Sequence, residues 1–303
     1  MNPRPLPPSA RAFQAGPPPG RWLGLGALHG AVLLFGVAGL FGKWVQAPAL
    51  VIVFGRVVVA AAGLALLLRL WPGAARPLGR GDRMALWACG ALLAFHWATF
   101  FHAIQVSTVA VGLVAYSTAP VFVALLEPAW FRERFSPWAA LAAAVTMGGV
   151  ALVVPRWEPG AAVLQGAGWG VLSGLSFAVL SLANRALVRR HAAIRVALHQ
   201  DLAAAVWLAP ILPWVWTPLG AADLALLAVL GLVCTALAHA LFIQALRSLT
   251  ARTASLAAAL EPVYGIGLAW LLLGERPALR TVAGGCTILA AVLWSLWHNA
   301  RSR

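Results

Sequence analysis

Two stretches of the chain, 142 residues apart, decide how it folds: STAPVFVALLEPAWFRER at 117–134 and ALEPVYGIGLAWLLLGER at 259–276. Written one above the other, they place Pro120 on Pro262, a valine after each proline, and a Glu-Arg pair at each end. A shared shift of this length indicates an internal duplication. Further pairs at the same shift are Phe35 with Phe177, Lys43 with Arg185, and Thr108 with Thr250.

The composition indicates that lipid is the solvent. Of the 303 residues, 62% are hydrophobic and 10% are charged, whereas a soluble domain carries about 25% charged residues. Ten apolar runs have about the length that crosses a bilayer as a helix. Each run is predicted to be helical, because backbone polar groups find no water inside lipid. The runs are 22–43, 48–69, 84–104, 108–130, 137–155, 165–186, 196–216, 224–245, 251–273 and 279–298.

The duplication divides the ten runs into two copies of five. Because five is odd, the second copy enters the membrane from the opposite side. The predicted fold is therefore all-α and integral to the membrane, with ten transmembrane helices as two inverted five-helix repeats. We expect a disordered, proline-rich cytoplasmic tail at 1–21, a first repeat at 22–160, a second at 161–298 and a cytoplasmic tail at 299–303.

The basic residues predict the orientation. With the N-terminus placed in the cytoplasm, 17 of the 22 lysines and arginines fall on the inner side, four on the outer side, and Arg56 inside a span. This bias predicts that both termini are cytoplasmic, in a multi-pass protein of a bacterial-type plasma (inner) membrane. The basic residues form no stripe interleaved with aromatics, so no nucleic-acid partner is expected.

The two signature stretches, 117–134 and 260–276, resemble the paired signatures of EamA-type proteins of the drug/metabolite transporter superfamily. Phe35-Gly36, followed by a basic residue, and Arg56 also look like family positions, and the resemblance covers about 22–298. The first copy differs in carrying Phe131-Arg132 where a Leu-Gly pair is common. The resemblance implies export of amino acids, related metabolites or drug-like compounds, by proton exchange or facilitated passage.

Two ionisable residues are predicted to lie deep in the membrane. Glu261 falls about 15 Å into its run, near the midplane, and Arg56 lies in the middle of the second run. Ionisable groups at this depth mark a functional site by default. Glu261 either binds a proton or a substrate's cationic group, or has a structural role, in which it hydrogen-bonds backbone freed by Pro262 or pairs with a basic residue. Arg56 either contacts the ligand or pairs with an acid as an anchor.

Prolines and aromatic residues complete the candidate site. Pro120 and Pro262 are predicted to bend their helices and to act as hinges, although membrane helices also tolerate such kinks. Tyr116 and Tyr264 lie close to these prolines, and Trp97 lies mid-span, away from the headgroup layer. Aromatic walls suit apolar or cationic ligands, and ordinary packing is the alternative.

No metal site and no cofactor are expected. The histidines within the apolar runs are not spaced to share a helical face, and the three cysteines stand singly. They are interpreted as core histidines, one or two of which line a cavity. Asp201 and Glu127 are predicted to lie near inner helix ends, where snorkelling or salt bridges explain them. The histidines concerned are His29, His96, His102, His199 and His239.

The predicted function is secondary transport of a small organic metabolite by alternating access, with export as the expected direction. No phosphate-binding loop is present in the sequence. A lipid-moving or structural membrane protein is the alternative. An integral membrane enzyme is less favoured, because no polar cluster suited to catalysis stands out. The expected partners are a small-molecule substrate and the bilayer, with proton coupling and a homodimer left open.

Overall fold

The computed structural model describes residues 20–70, 78–132, 137–153, 161–258 and 260–301. Within these ranges the chain forms helices and short connections, with no β-strand. The α-helices are α1 Arg21–Trp44, α2 Ala49–Leu70, α3 Arg80–Val106, α4 Val109–Tyr116, α5 Ala119–Phe131, α6 Pro137–Val153, α7 Ala162–Leu187, α8 Ala193–Leu208, α9 Leu212–Val215, α10 Ala221–Gly231, α11 Ala238–Ala245, α12 Ala251–Ala258, α13 Glu261–Leu273 and α14 Leu279–Arg301.

Seven helical segments of the described residues are long and apolar enough to cross a membrane. The segments from α4 to α5, from α8 to α9 and from α10 to α11 each count as one of the seven. Three shorter apolar helices lie at Ala144–Val153, Glu261–Leu273 and Leu279–Ala291, in the predicted fifth, ninth and tenth runs. All-helical membrane architecture is therefore confirmed, while the count of ten spans stays a prediction.

The fourth and ninth predicted runs each consist of two helices. α5 and α13 both begin one residue before a proline, Pro120 or Pro262. A proline in the first helical turn loses no hydrogen bond, because the first N–H groups of a helix have no partner within it. The Ser117 and Thr118 hydroxyls, which donate to the Leu113 and Ala115 carbonyls, bond backbone oxygens at the first break. The expected mid-helix kinks are therefore interruptions between two helices.

Two other helical runs of the second half differ from the prediction. The predicted run 224–245 contains a π-helical segment, Leu232–Leu237, between α10 and α11. Within it the Thr235 hydroxyl donates to the Leu230 carbonyl oxygen at 2.7 Å. At the end of the chain, α14 continues to Arg301, beyond residue 298 where the second repeat was expected to end. Residues 1–19 of the expected tail lie outside the described residues.

The packing between the halves is reciprocal. α3 packs on α7 and α8, and its counterpart in the second half, α10 to α11 with the π segment, packs on α1 and α2. α5 packs on α7 as α13 packs on α1, and α6 packs on its own counterpart α14. These contacts between elements of the two halves thus recur with the halves exchanged, as a duplicated chain with pseudo-twofold symmetry requires.

Candidate functional site: a central cavity between the halves

A narrow cavity lies where α1–α4 of the first half meet α7, α11 and α13 of the second. Four pairs of its lining residues are 142 positions apart, so they are equivalent in the two halves. The cavity therefore lies on the pseudo-symmetry axis. The pairs are Phe35 with Phe177, Ala38 with Leu180, Trp97 with His239, and Phe100 with Phe242. Other lining residues are Arg56, Leu93, His96, Tyr116, Ser181, Asn184 and Glu261.

Arg56 is fully enclosed and held by the opposite half. Its Nε donates to the Thr235 hydroxyl at 2.8 Å, and its Nη2 donates to the Cys234 carbonyl oxygen at 3.2 Å. Both partners belong to the π segment, whose altered winding offers these groups to the guanidinium. The guanidinium carbon lies 3.9 Å from the centre of the Trp97 ring, in cation–π geometry. Arg56 is therefore anchored, and among the described residues its remaining N–H groups have no hydrogen-bond partner.

Glu261 is the first residue of α13 and is 3% exposed. The start of this helix bonds through its own backbone, because the Val263 and Tyr264 amides both donate to the Leu260 carbonyl oxygen. Within the described residues, no side-chain hydrogen bond or salt bridge holds the Glu261 carboxylate. The N-terminus of a helix favours a negative charge. The carboxylate is thus placed in the cavity without the backbone partner that an architectural role predicts.

Aromatic rings form most of the wall opposite these charges. The His96 ring lies 5.3 Å from Phe177 and 5.7 Å from Tyr116, between ring centres. Its Nδ1 bonds the Ser173 hydroxyl of α7 at 2.9 Å, which fixes α3 against α7. Phe177 also contacts Phe242 at 5.2 Å. His96 is therefore a hydrogen-bonded core histidine that also lines the cavity.

A second group of buried polar side chains lies partly in the wall of this cavity and partly behind it. Ser181 and Asn184 face it from α7, and the Asn184 carbonyl accepts a 2.6 Å hydrogen bond from Gln200 of α8. Asp201 is fully buried beside Gln200, with its Oδ1 3.5 Å from the His239 Nδ1. Asp201 therefore does not snorkel as the sequence predicts. Glu127 does form the expected salt bridge, at 2.8 Å to Arg185.

The predicted site residues fall into two sets. Arg56, Trp97, Tyr116 and Glu261 meet at the cavity. Tyr264 is half-buried and packs against Gly36 of α1, and it does not line the cavity. Pro120 and Pro262 are buried at the helix interruptions, outside the cavity lining. Among the described residues no cluster of histidine, cysteine and acid side chains could hold a metal ion.

Comparison with known proteins agrees with this architecture. Residues 22–154 and 164–297 each match the EamA-like transporter family. The chain belongs to this family. The predicted resemblance is therefore confirmed, and together with the apolar helices it makes the chain a multi-pass membrane protein.

Relatives of this transporter-family chain have been named in several organisms. This chain is 24% identical over 270 residues to the uncharacterized transporter YxxF of Bacillus subtilis, and the match covers 88% of this chain and 87% of the relative. An uncharacterized transporter of Archaeoglobus fulgidus is 27% identical over 273 residues, or 87% and 92% of the two chains. A probable terminal-alkyne amino-acid exporter of Streptantibioticus cattleyicolor is 29% identical over 180 residues, covering 58% and 60%. A solved crystal structure superposes with a TM-score of 0.68 at 17% identity, over 93% of this chain and 98% of the other.

Proposed function

We propose that this protein is a secondary transporter that exports small organic metabolites with an ammonium group, such as amino acids or related drug-like compounds. The observation that carries the proposal is the Glu261 carboxylate, buried without a hydrogen-bond partner among the described residues, in an aromatic cavity shared by both halves. A buried carboxylate without a partner is unfavourable in lipid. A cationic ligand group would offset this penalty.

The lining supports an amphipathic substrate. Phe100, Phe177 and Phe242 offer apolar surface to a hydrocarbon or aromatic side chain. Glu261 would accept hydrogen bonds from the ammonium group, and the free N–H groups of Arg56 would bind a carboxylate where the substrate has one. The name of the Streptantibioticus relative, a probable exporter of an amino acid with an apolar tail, is consistent with this substrate class.

The proposed cycle is alternating access in ten spans. The two five-helix repeats would lie inverted in a bacterial-type inner membrane with both termini cytoplasmic, as the distribution of basic residues favours. The interruptions before Pro120 and Pro262 supply places where α4 can move relative to α5, and α12 relative to α13. Their equivalent positions would allow the two halves to exchange conformations around the cavity.

The test is flux through proteoliposomes that contain this protein alone, without nucleotide. Labelled phenylalanine, leucine, lysine and phenethylamine provide substrates that share an ammonium group but differ in side chain and carboxylate. We expect saturable flux of at least one of them, with protein-free liposomes as the control. Absence of flux for all four, or flux that requires internal ATP, would refute the proposal. Fluorescent phospholipid in the same liposomes tests the lipid-moving alternative, which predicts its protein-dependent transfer between leaflets.

A further inference from the structure

The environment of Asp201 is unusual for a carboxyl group inside a membrane protein. The residue has no exposed surface, and neither of its carboxyl oxygens has a hydrogen-bond partner within the described residues. Both ring nitrogens of His239 also lack one. The Oδ1–Nδ1 distance of 3.5 Å is longer than the about 2.7–2.9 Å of a charge-assisted hydrogen bond. The two groups are therefore adjacent without forming a strong ion pair.

His239 stands between Asp201 and the cavity. Its ring lines the cavity and packs edge-on against Trp97, with ring centres 5.6 Å apart. Asp201 lies behind it on α8 and is not part of the lining. A ligand molecule therefore has no direct route to the carboxyl group. A proton can reach it through the imidazole, because the two ring nitrogens can accept a proton on one side and release one on the other.

The other titratable groups near the pair come from several elements. α2 contributes Arg56, which interacts electrostatically with both Asp201 and Glu261. α1 contributes His29, which is exposed. The remaining groups are His96 and Cys89 from α3, Tyr116 from α4, Cys234 from the π segment and Glu261 from α13.

A charge count over these groups leaves one positive charge missing. Among the described residues, Arg56 is the only lysine or arginine that lines the cavity, and arginine stays protonated in proteins. Asp201 and Glu261 would carry two negative charges if both were ionised. An unbalanced charge in this environment is strongly unfavourable. The stacking of Arg56 on Trp97, which His239 also contacts, disfavours a second cation on the imidazole. The N-terminus of α13 favours the ionised form of Glu261, so the missing proton belongs on Asp201.

We propose that Asp201 holds a proton in the empty transporter, and that a substrate ammonium group at Glu261 displaces it through His239. Asp201 transfers its proton to Nδ1 of His239, and the ring releases its Nε2 proton to water in the cavity. One positive charge leaves as one enters, so the total charge at the site is unchanged. The displacement step rests on the proposed transport function, whereas the proton on Asp201 does not.

Isotope-edited infrared spectroscopy of the full-length protein in lipid nanodiscs tests the proton directly. The chain has three aspartates, Asp82, Asp201 and Asp223; Asp82 is paired with Arg190 at 2.8 Å and Asp223 is a helix cap near the surface. With ¹³C-labelled aspartate, we expect one shifted carboxylic-acid band at neutral pH. The band should disappear in Asp201→Asn and remain in Asp223→Asn. No shifted band in the unsubstituted protein, or one that survives in Asp201→Asn, would overturn the proposal.

The charge count also predicts how the infrared spectrum changes when Glu261 is replaced. Glu261→Gln removes one of the two acids, so Arg56 alone balances Asp201 and the aspartic-acid band should be lost at neutral pH. A band of unchanged intensity in this variant would refute the shared charge balance. The presence or absence of the shifted band in the unsubstituted protein already tests whether an aspartate holds a proton, so this test does not require any variant to fold.

Flux in proteoliposomes tests the displacement. An imposed pH gradient should drive uphill movement of phenethylamine, a cation without a carboxylate, beyond the passive accumulation of its uncharged form in protein-free liposomes, and dissipation of the gradient should abolish it. Asp201→Asn has no proton to release and should lose the uphill component, and His102→Gln, a histidine outside the cavity lining, should behave as the unsubstituted protein. Flux that ignores the gradient refutes the displacement while the transport function stands. Absence of phenethylamine flux refutes the displacement, absence of flux for all four labelled compounds refutes the transport function as well, and the infrared band decides the proton in either case.

Discussion

Replacement of Glu261 by glutamine separates a ligand contact from an architectural role. Glutamine keeps the shape and can accept a hydrogen bond, but it carries no charge. A hydrogen bond to a charged group contributes about 1.5–3 kcal/mol and a neutral one about 0.5–1.5 kcal/mol, so the substitution should weaken ammonium binding by about 1–2 kcal/mol. That corresponds to a rise of about 5- to 30-fold in KM. The fold should be unaffected, because the carboxylate bonds no described backbone group.

The assay combines phenethylamine flux in proteoliposomes with unfolding of the purified protein by sodium dodecyl sulfate. Glu275→Gln is the matched control, because Glu275 accepts a hydrogen bond from the Val109 amide, away from the cavity, and its KM should not change. The reasoning is refuted if Glu261→Gln leaves KM unaltered. It is also refuted if Glu261→Ala lowers the free energy of unfolding by about 1–3 kcal/mol and glutamine restores it. That pattern would mean that the side chain supports the backbone at the helix interruption.

Two side-chain contacts and the distribution of basic residues give three further predictions. Thr235→Val removes the 2.8 Å hydrogen bond to Arg56 and should lower the free energy of unfolding by about 1.5–3 kcal/mol; an unchanged value in detergent titration would contradict the anchoring role. Glu127→Gln should lower the free energy of unfolding by about 1–2 kcal/mol, because Arg185, which donates to the Glu127 carboxylate at 2.8 Å, keeps only a neutral acceptor, and adding Arg185→Met should recover part of the loss. Reporter fusions after residues 160 and 303 should lie on opposite sides of the membrane, and the same side for both would refute the inverted topology.

The sequence predicts the cavity better than it predicts the helices around it. Arg56, Trp97 and Glu261 could be assigned to one region because polar groups at mid-span have to face the protein interior. Helix interruptions could not be assigned, since a proline in a membrane helix is compatible with a kink, a break or an undisturbed helix. Only the packed structure shows that Pro120 and Pro262 begin new helices.

Asp201 was misplaced for a geometric reason. The apolar run 196–216 predicts that the helix begins at residue 196, which places the Asp201 side chain near the membrane surface. α8 begins at Ala193 instead, so Asp201 lies eight residues, or about 12 Å, from the helix start. Hydropathy alone gives no sign that His239 lies beside Asp201.

The duplication accounts for the aromatic wall of the cavity but not for its charges. Every paired lining position is apolar or aromatic except the Trp97–His239 pair. By contrast, each of the three buried charged residues in or directly behind the cavity has an uncharged counterpart in the other half. In the proposed cycle the halves exchange conformations, and a fully symmetric cavity would offer the same surface to both sides of the membrane. Direction would therefore depend on the residues that break the symmetry rather than on the fold. The unlike pairs are Glu261 with Ala119, Arg56 with Leu198, and Asp201 with Val59.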